Sequence, residues 1–273
     1  HQEARRQRQM CIRDRLYPDI DNNNDKYLKF YETICDLQIK LVVDWMRVGF
    51  IHGVMNTDNM SLSGETIDYG PAAYLDEYNP KKVFSSIDKM GRYSFENQSK
   101  ITLWNLARFA ETFLHLIDSN EKTAIKKIED ILNKYKKLFD QSWLIMMSMK
   151  LNLDTTNNNN EEIVKEFLDL MHIYKLDYTN TFLDLENNTL DKKIFKNWEE
   201  KYKNNKIRKF KNVNPQIIPR NHIIEEIINE VYSNNYSQLY EFEKLLNNPY
   251  QKIENTKYMT PPLESEKVFE TFC

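Results

Sequence analysis

Glycine is scarce in this chain: Gly49, Gly53, Gly64, Gly70 and Gly91 are the five among 273 residues. No two of them stand two residues apart, so a Gly-x-Gly-x-x-Gly phosphate loop cannot be built from this sequence. Cysteine is scarcer still. Cys11, Cys35 and Cys273 show no Cys-x-x-Cys spacing, which argues against a structural zinc site or a disulfide framework and fits a reducing compartment. No apolar run approaches the roughly 20 residues that a membrane-spanning helix needs. A net charge of -3 gives no global attraction to nucleic acid or to an anionic membrane. The local clusters Lys81-Lys82, Lys136-Lys137 and Lys206 to Lys211 read as solvated faces.

What is present describes a globular protein. Hydrophobic residues make up 41% and charged residues 29%, enough to build one large or two modest domains around a core. The amino terminus departs from that composition. Residues 1–15 carry Arg5, Arg6, Arg8, Arg13 and Arg15 and no lysine, while Lys, Asn, Ile and Tyr dominate the rest. We read 1–15 as a foreign or disordered tail and the chain as beginning mid-protein. Glu3, Asp14 and the lack of serine speak against a transit peptide. The runs Asn22 to Asn24 and Asn157 to Asn160 look like low-complexity loop insertions.

Periodicity predicts a mainly α fold. From Tyr27 to Val48, apolar residues recur at Ile34, Leu37 or Gln38, Leu41, Val42, Trp45 and Val48, with Gly49 in the stop position. Helices are likewise expected over a stripe from Leu103 to Ile117, then Glu121 to Leu138 with Asn120 or Ser119 as cap, and Ser142 to Leu151. Further ones follow at Glu161 to Tyr174, Tyr178 to Leu185, Lys192 to Lys203, Asn221 to Tyr232 and Tyr236 to Leu246. A turn is expected around Gly64, a short strand at Glu65 to Tyr69, and an ordered loop from Pro71 to Gln98. Trp45, Trp104, Trp143 and Trp198 read as core, and His115 and His172 as core or boundary histidines. Arg92 and Arg220 read as structural salt-bridge partners rather than phosphate ligands.

The glycines cluster around one block, His52-Gly-Val-Met-Asn-Thr-Asp-Asn-Met60, followed by Thr66-Ile-Asp-Tyr-Gly-Pro71. Protein kinases place a base and two metal ligands around ATP with His-Arg-Asp-x-x-x-x-Asn and then Asp-Phe-Gly. Counted from His52, Asn59 stands at the kinase His-to-Asn spacing, and Asp68-Tyr69-Gly70 takes the place of Asp-Phe-Gly. Val54 occupies the position of the kinase base and cannot accept a proton. Asp58 is the carboxylate left within reach. Asn59 and Asp68 offer hard oxygen donors suited to Mg²⁺ or Mn²⁺.

These residues resemble the selenoprotein O family, the YdiU-type proteins. The resemblance extends to Asp88 with Gly91-Arg92-Tyr93, Gln98, Trp104-Asn105-Leu106, Asp177-Tyr178-Thr179, Asn214-Pro215, Arg220-Asn221, Pro249-Tyr250 and Phe272-Cys273. It implies the C-terminal lobe of a protein-kinase-like fold over residues 16–273, with a helical extension and a small strand element at the catalytic loop. It also implies AMP transfer from ATP to Ser, Thr or Tyr hydroxyls of protein substrates. In that resemblance Asp58 matches the proton acceptor, Asn59 and Asp68 the metal ligands, and Asp68 also an ATP contact. The glycine-rich loop, ATP-binding Lys and phosphate-binding arginines belong to an N-terminal lobe that this chain lacks, so the chain alone is expected to be inactive. A redox-sensitive Cys of the family aligns here with Phe84. Relatives are mitochondrial in eukaryotes and cytoplasmic in bacteria. Two other readings compete: a phosphotransferase moving the γ-phosphate, and a catalytically inert pseudokinase scaffold.

Overall fold

The computed structural model describes residues 11–13, 15–20, 25–157, 159–207, 212–253 and 256–272. Much of the arginine-rich stretch (1–10 and 14), the asparagines at 22–24 and 158, the basic segment 208–211 and Cys273 lie outside the described residues. The fold is mainly helical, as the periodicity predicts. Its elements are α1 (Lys26–Val48), β1 (Phe50–Ile51), β2 (Ala73–Tyr74), α2 (Gln98–Glu111), α3 (Leu114–Ile117), α4 (Glu121–Lys150) and α5 (Asn160–Ile173). They continue with α6 (Tyr178–Asn187), α7 (Lys192–Lys203), α8 (Asn221–Tyr232) and α9 (Ser237–Leu246). β1 and β2 form a two-stranded antiparallel sheet, with Phe50 opposite Tyr74 and Ile51 opposite Ala73.

Several expectations change. Glu121 to Leu138 and Ser142 to Leu151 are one helix, α4, because Phe139-Asp-Gln141 contains no helix breaker and continues the apolar stripe. Asn120 does cap it, its Oδ1 accepting from Thr123 N at 3.2 Å. The stripe expected to run from Leu103 to Ile117 divides at Thr112, whose hydroxyl folds back onto Phe109 O at 2.8 Å. The strand expected at Glu65 to Tyr69 shrinks to a single bridge at Thr66, and the strand pairing falls instead at Ala73–Tyr74, inside the stretch read as a loop.

The chain divides into two compact units. The first comprises His1–Val43, Met55–Tyr69 and Asn97–Ser142. Its core is aromatic. Phe109 lies 4.9 Å from Phe113 and 6.4 Å from Phe30, and Tyr31 lies 5.7 Å from Phe113, separations at which ring edges meet ring faces. The buried Tyr31 hydroxyl donates to Leu106 O at 3.1 Å, tying α1 to α2.

The second unit comprises Asp44–Val54, Gly70–Glu96 and Trp143–Cys273. Trp198 is wholly buried between Phe167 (4.8 Å) and Tyr202 (4.6 Å), and its indole N–H donates to Ile163 O at 2.9 Å, so α5 and α7 pack through one satisfied aromatic. Farther along, Ile217, Ile223, Ile227, Phe242 and Tyr258 form a separate apolar cluster that joins α8 and α9.

Among the described residues, two lysine or arginine side chains are buried inside this unit. Arg220, 1% exposed, donates to Asp76 Oδ1 at 2.6 Å and Asp177 Oδ2 at 2.8 Å through Nη1. Through Nη2 it reaches Asp177 Oδ1 at 3.1 Å. Asp177 also caps α6, accepting from Asn180 N at 2.7 Å. Arg220 is thus the structural salt-bridge residue its sequence context predicts. The second group is Lys150, whose Nζ donates to Arg47 O at 2.8 Å while lying 4.0 Å from the centre of the Phe182 ring. Beside it, the Tyr178 hydroxyl donates to Met46 O at 2.7 Å. The last-turn carbonyls of α1, which no helical N–H can reach, are met by these two side chains.

Arg220→Ala leaves the half-buried Asp76 and Asp177 without their counter-charge, so urea titration should show a loss of about 3 kcal/mol of unfolding free energy. Lys150 sets a pH dependence. Burial pushes its ammonium well below the ordinary lysine value, Arg47 adds to the shift and Glu186 opposes it. Between that lowered value and about 10.4 the unfolded chain holds the proton and the folded chain does not, so this residue makes stability rise with pH. In Lys150→Met that contribution disappears. The urea midpoint of the parent should gain on that of the variant between about pH 7 and about pH 9.

Candidate functional site

The block singled out by its glycines leaves α1 through Gly49 and enters β1. Gly49 has φ +76°, and a Cβ there would meet Tyr178 at 2.9 Å, so the turn at the end of α1 requires glycine. His52 is wholly buried, its ring 5.4 Å from Trp45. That placement suits a residue that braces the loop and leaves it no route to a substrate proton. Gly53, at φ +86°, passes so close to the Pro71 carbonyl that a Cβ would stand 2.9 Å from the oxygen. Both ends of the intervening segment are therefore held together, by the β1–β2 pairing and by this contact.

Between those ends the chain belongs to the first unit, and all three candidate site residues lie in it. Thr57–Asn59 forms a single 3-10 turn, closed by Asn59 N donating to Asn56 O at 3.0 Å. Met60 then pairs with Thr66 in an isolated antiparallel bridge. The chain reverses between them through Gly64, whose N–H donates to Ser61 O at 3.1 Å. Asn59 and Asp68 thus stand on the two arms of one small hairpin, on the same open side of the bridge. Asp58 and Asp68 are exposed and Asn59 is half-buried. Asp68 does not end a strand, as the sequence suggests. It adopts φ +57°, a left-handed conformation that Asp tolerates better than most residues and that turns the backbone just before Tyr69-Gly70.

The supports of this hairpin were not evident from the sequence. Asn105 Nδ2 donates to Met55 O at 2.9 Å, and Gln38 Nε2 donates to Ser61 O at 2.6 Å, both side chains being buried. The Tyr17 hydroxyl donates to Leu62 O. The available signal was a polar residue inside an apolar stripe, visible at the ambiguous Leu37/Gln38 position and within Trp104-Asn105-Leu106.

Other candidates fall away from the site. His115 and His172 are exposed, contrary to the core or boundary reading, and His172 Nδ1 stands 3.3 Å from Tyr78 O. Trp45 and Trp198 are core, Trp143 is half-buried, and Trp104 is 45% exposed with the Arg108 guanidinium over its ring. Cys35 is buried. Burial drives its thiol up to about 12, with Asp36 and Glu32 adding and a hydrogen bond to Tyr31 opposing, so it is no nucleophile. Phe84 is buried. Among the described residues, no three His, Cys, Asp or Glu side chains group closely enough to hold a metal by themselves, and no helix is long and apolar enough to cross a membrane.

The sequence matches the family model "Protein adenylyltransferase SelO" over residues 2–206. It is 42% identical over 278 residues to the protein nucleotidyltransferase YdiU of Pelagibacter ubique, covering 95% of this chain and 57% of that protein. It is similarly 42% identical to the protein of the same name in Nitrosococcus oceani, covering 95% and 56%, and 39% identical to that of Brevibacillus brevis over the same shares. The chain therefore spans a little over half the length of these curated relatives. With the family model matched over most of its length and relatives at this identity across nearly all of it, the chain belongs to the SelO family.

Proposed function

We propose that the protein carrying this chain is a metal-dependent protein adenylyltransferase, moving AMP from ATP to Ser, Thr or Tyr hydroxyls of proteins, and that this chain supplies the metal-binding, catalytic half. The observation that carries the reading is the hairpin closed by Met60 and Thr66, which sets Asn59 and Asp68 on its two arms with Asp58 beside Asn59. Family membership supports the chemistry. We read residues 16–273 as the C-terminal lobe of a kinase-like fold. The ATP-binding lobe is to be sought in the part of the relatives that this chain does not span. The relatives compared are bacterial, which favours the cytoplasmic alternative.

The donor set fits a hard divalent ion. Asn59 contributes a neutral carboxamide oxygen and Asp68 an anionic carboxylate. So few protein donors suit Mg²⁺ or Mn²⁺, which are commonly held by one or two carboxylates together with substrate phosphates and water. Such an ion, when bound, neutralises phosphate charge as it develops in the transition state. The residues do the rest. Asp58, exposed on its turn, accepts the proton of the incoming hydroxyl, whose oxygen forms a bond to the α-phosphorus. The bond from that phosphorus to the bridging oxygen breaks, and pyrophosphate leaves with the electron pair. Val54 takes no part in proton transfer, which moves the base role from its usual kinase position to Asp58. His52, packed on Trp45, holds the start of the loop.

The test supplies the complete protein with ATP labelled at the α- or the γ-phosphate and a protein acceptor. Label should transfer from the α-position only, disappear in Asp68→Ala, and slow by about 10²–10⁴-fold in Asp58→Asn. Transfer from the γ-position would instead make it a kinase-like phosphotransferase. No transfer from either, with no metal-dependent nucleotide binding, would make it an inert scaffold.

A further inference from the structure

The segment that carries Asp58, Asn59 and Asp68 closes where Gly53 passes the Pro71 carbonyl. Close packing alone does not hold two backbones together, and the β1–β2 pair beside this contact is only two residues long on each strand. A two-stranded ribbon of that size is marginal in water. The second unit supplies a further tie. The Thr271 hydroxyl donates to Pro71 O at 2.5 Å, across 200 residues of sequence. Thr271 is itself held along its backbone. Its N–H donates to Phe84 O at 2.7 Å and its carbonyl accepts from Ser86 N at 3.0 Å, a parallel bridge to Ser85. Phe84 and Ser85 are buried, so the bridge rests on the interior of this unit. Beside it, Lys82 Nζ donates to Phe269 O at 3.4 Å and lies 4.5 Å from the centre of the Phe84 ring. Pro71 is buried as well, and a buried carbonyl without a donor is costly.

We infer that Thr271 is a positioning residue for the proposed transfer: its hydroxyl fixes Pro71 O, and with it the point at which the segment closes. The inference rests on the reading of Asp58, Asn59 and Asp68 as the reacting set. Pro71 follows Asp68 by three residues and Gly53 precedes Asp58 by five, so a shift at the closure is carried along both arms. Group transfer tolerates little of that, since moving a reacting group by about 1 Å can cost about 10²-fold in rate. Thr271 acts through a carbonyl and is no catalytic residue.

The test is made in the complete protein. It compares Thr271→Val, which keeps the shape and removes the donor, with Thr271→Ser, which keeps the donor. Hydrogen exchange, read by mass spectrometry on fragments covering 55–69, should quicken by about three- to tenfold in Thr271→Val, the worth of one hydrogen bond. It should return to the parent rate in Thr271→Ser, and fragments from α5 and α7 should not change in either. With α-labelled ATP, kcat for AMP transfer should fall about tenfold or more in Thr271→Val while the KM for the protein acceptor stays within about twofold. Thr271→Ser should recover that rate. Thr271→Ala repeats both measurements should the valine methyl disturb the circular dichroism of the fold. Unchanged exchange over 55–69 overturns the inference, as does quickened exchange with unchanged kcat. Equal quickening in α5 and α7, or no recovery in Thr271→Ser, makes Thr271 a support of the unit at large and overturns it too. A parent protein that transfers no label from the α-position ends the reading of the reaction and the positioning role with it, while exchange over 55–69 still decides whether Thr271 holds the closure.

Discussion

The end of α1 is the constraint from which the candidate site is built. A helix leaves its last carbonyls without partners, and here Met46 O and Arg47 O are met by a buried tyrosine hydroxyl and a buried lysine amino group. A lysine in such a place is a poor bargain if only its own charge is considered, since burial disfavours the ammonium strongly. Its position at the negative end of a helix dipole, against the faces of Phe182 and Tyr178, recovers part of that cost. What results is a fixed point of departure for the chain. Gly49 turns it in a conformation only glycine adopts easily, and Leu75 N donates to Gly49 O at 2.8 Å, so β2 is registered against β1 from the first residue after the helix.

That registration matters because the functional segment is long and has little regular structure of its own. It is shaped from both ends and from the side. The β1–β2 pair and the close passage of Gly53 by Pro71 O hold its ends. Asn105 and Gln38 grip its backbone at Met55 and Ser61, on either side of the turn with Asp58. The carboxylates of Asp58 and Asp68 remain exposed, while the groups that hold their loop are buried. Precision comes from the supports, and availability from the loop.

The helices were legible because a 3.6-residue apolar period survives in any single sequence, and their number and order follow closely. Boundaries were less so. The end of α2 depends on one threonine hydroxyl folding back, and α4 continues through a stretch whose apolar period is weaker. β2 is two residues long, too short to show alternation, and Pro71 just before it pointed away from a strand. Asp58, Asn59 and Asp68 could be named from spacing alone, but the left-handed backbone at Asp68 could not, because nothing in Thr-Ile-Asp-Tyr-Gly distinguishes a strand end from a turn. Trp104 looked like core because it lies on a helix, yet helical spacing does not by itself say which face is buried. Gln38 and Asn105 were hidden for the opposite reason: a polar side chain on an apolar face reads as an interruption until its backbone partner is seen.

The single bridge between Met60 and Thr66 acts as a ruler. Adding or removing one residue among 61–65 would shift the pairing of Met60 with Thr66 and so change how Asn59 and Asp68 stand across the hairpin. Gly64 in that loop is constrained as well, since at φ +73° an added Cβ would stand 3.0 Å from Leu37 Cβ. The asparagine runs at 22–24 and 157–160 lie outside it. The distance along the sequence from Asn59 to Asp68 is the interval this hairpin holds fixed.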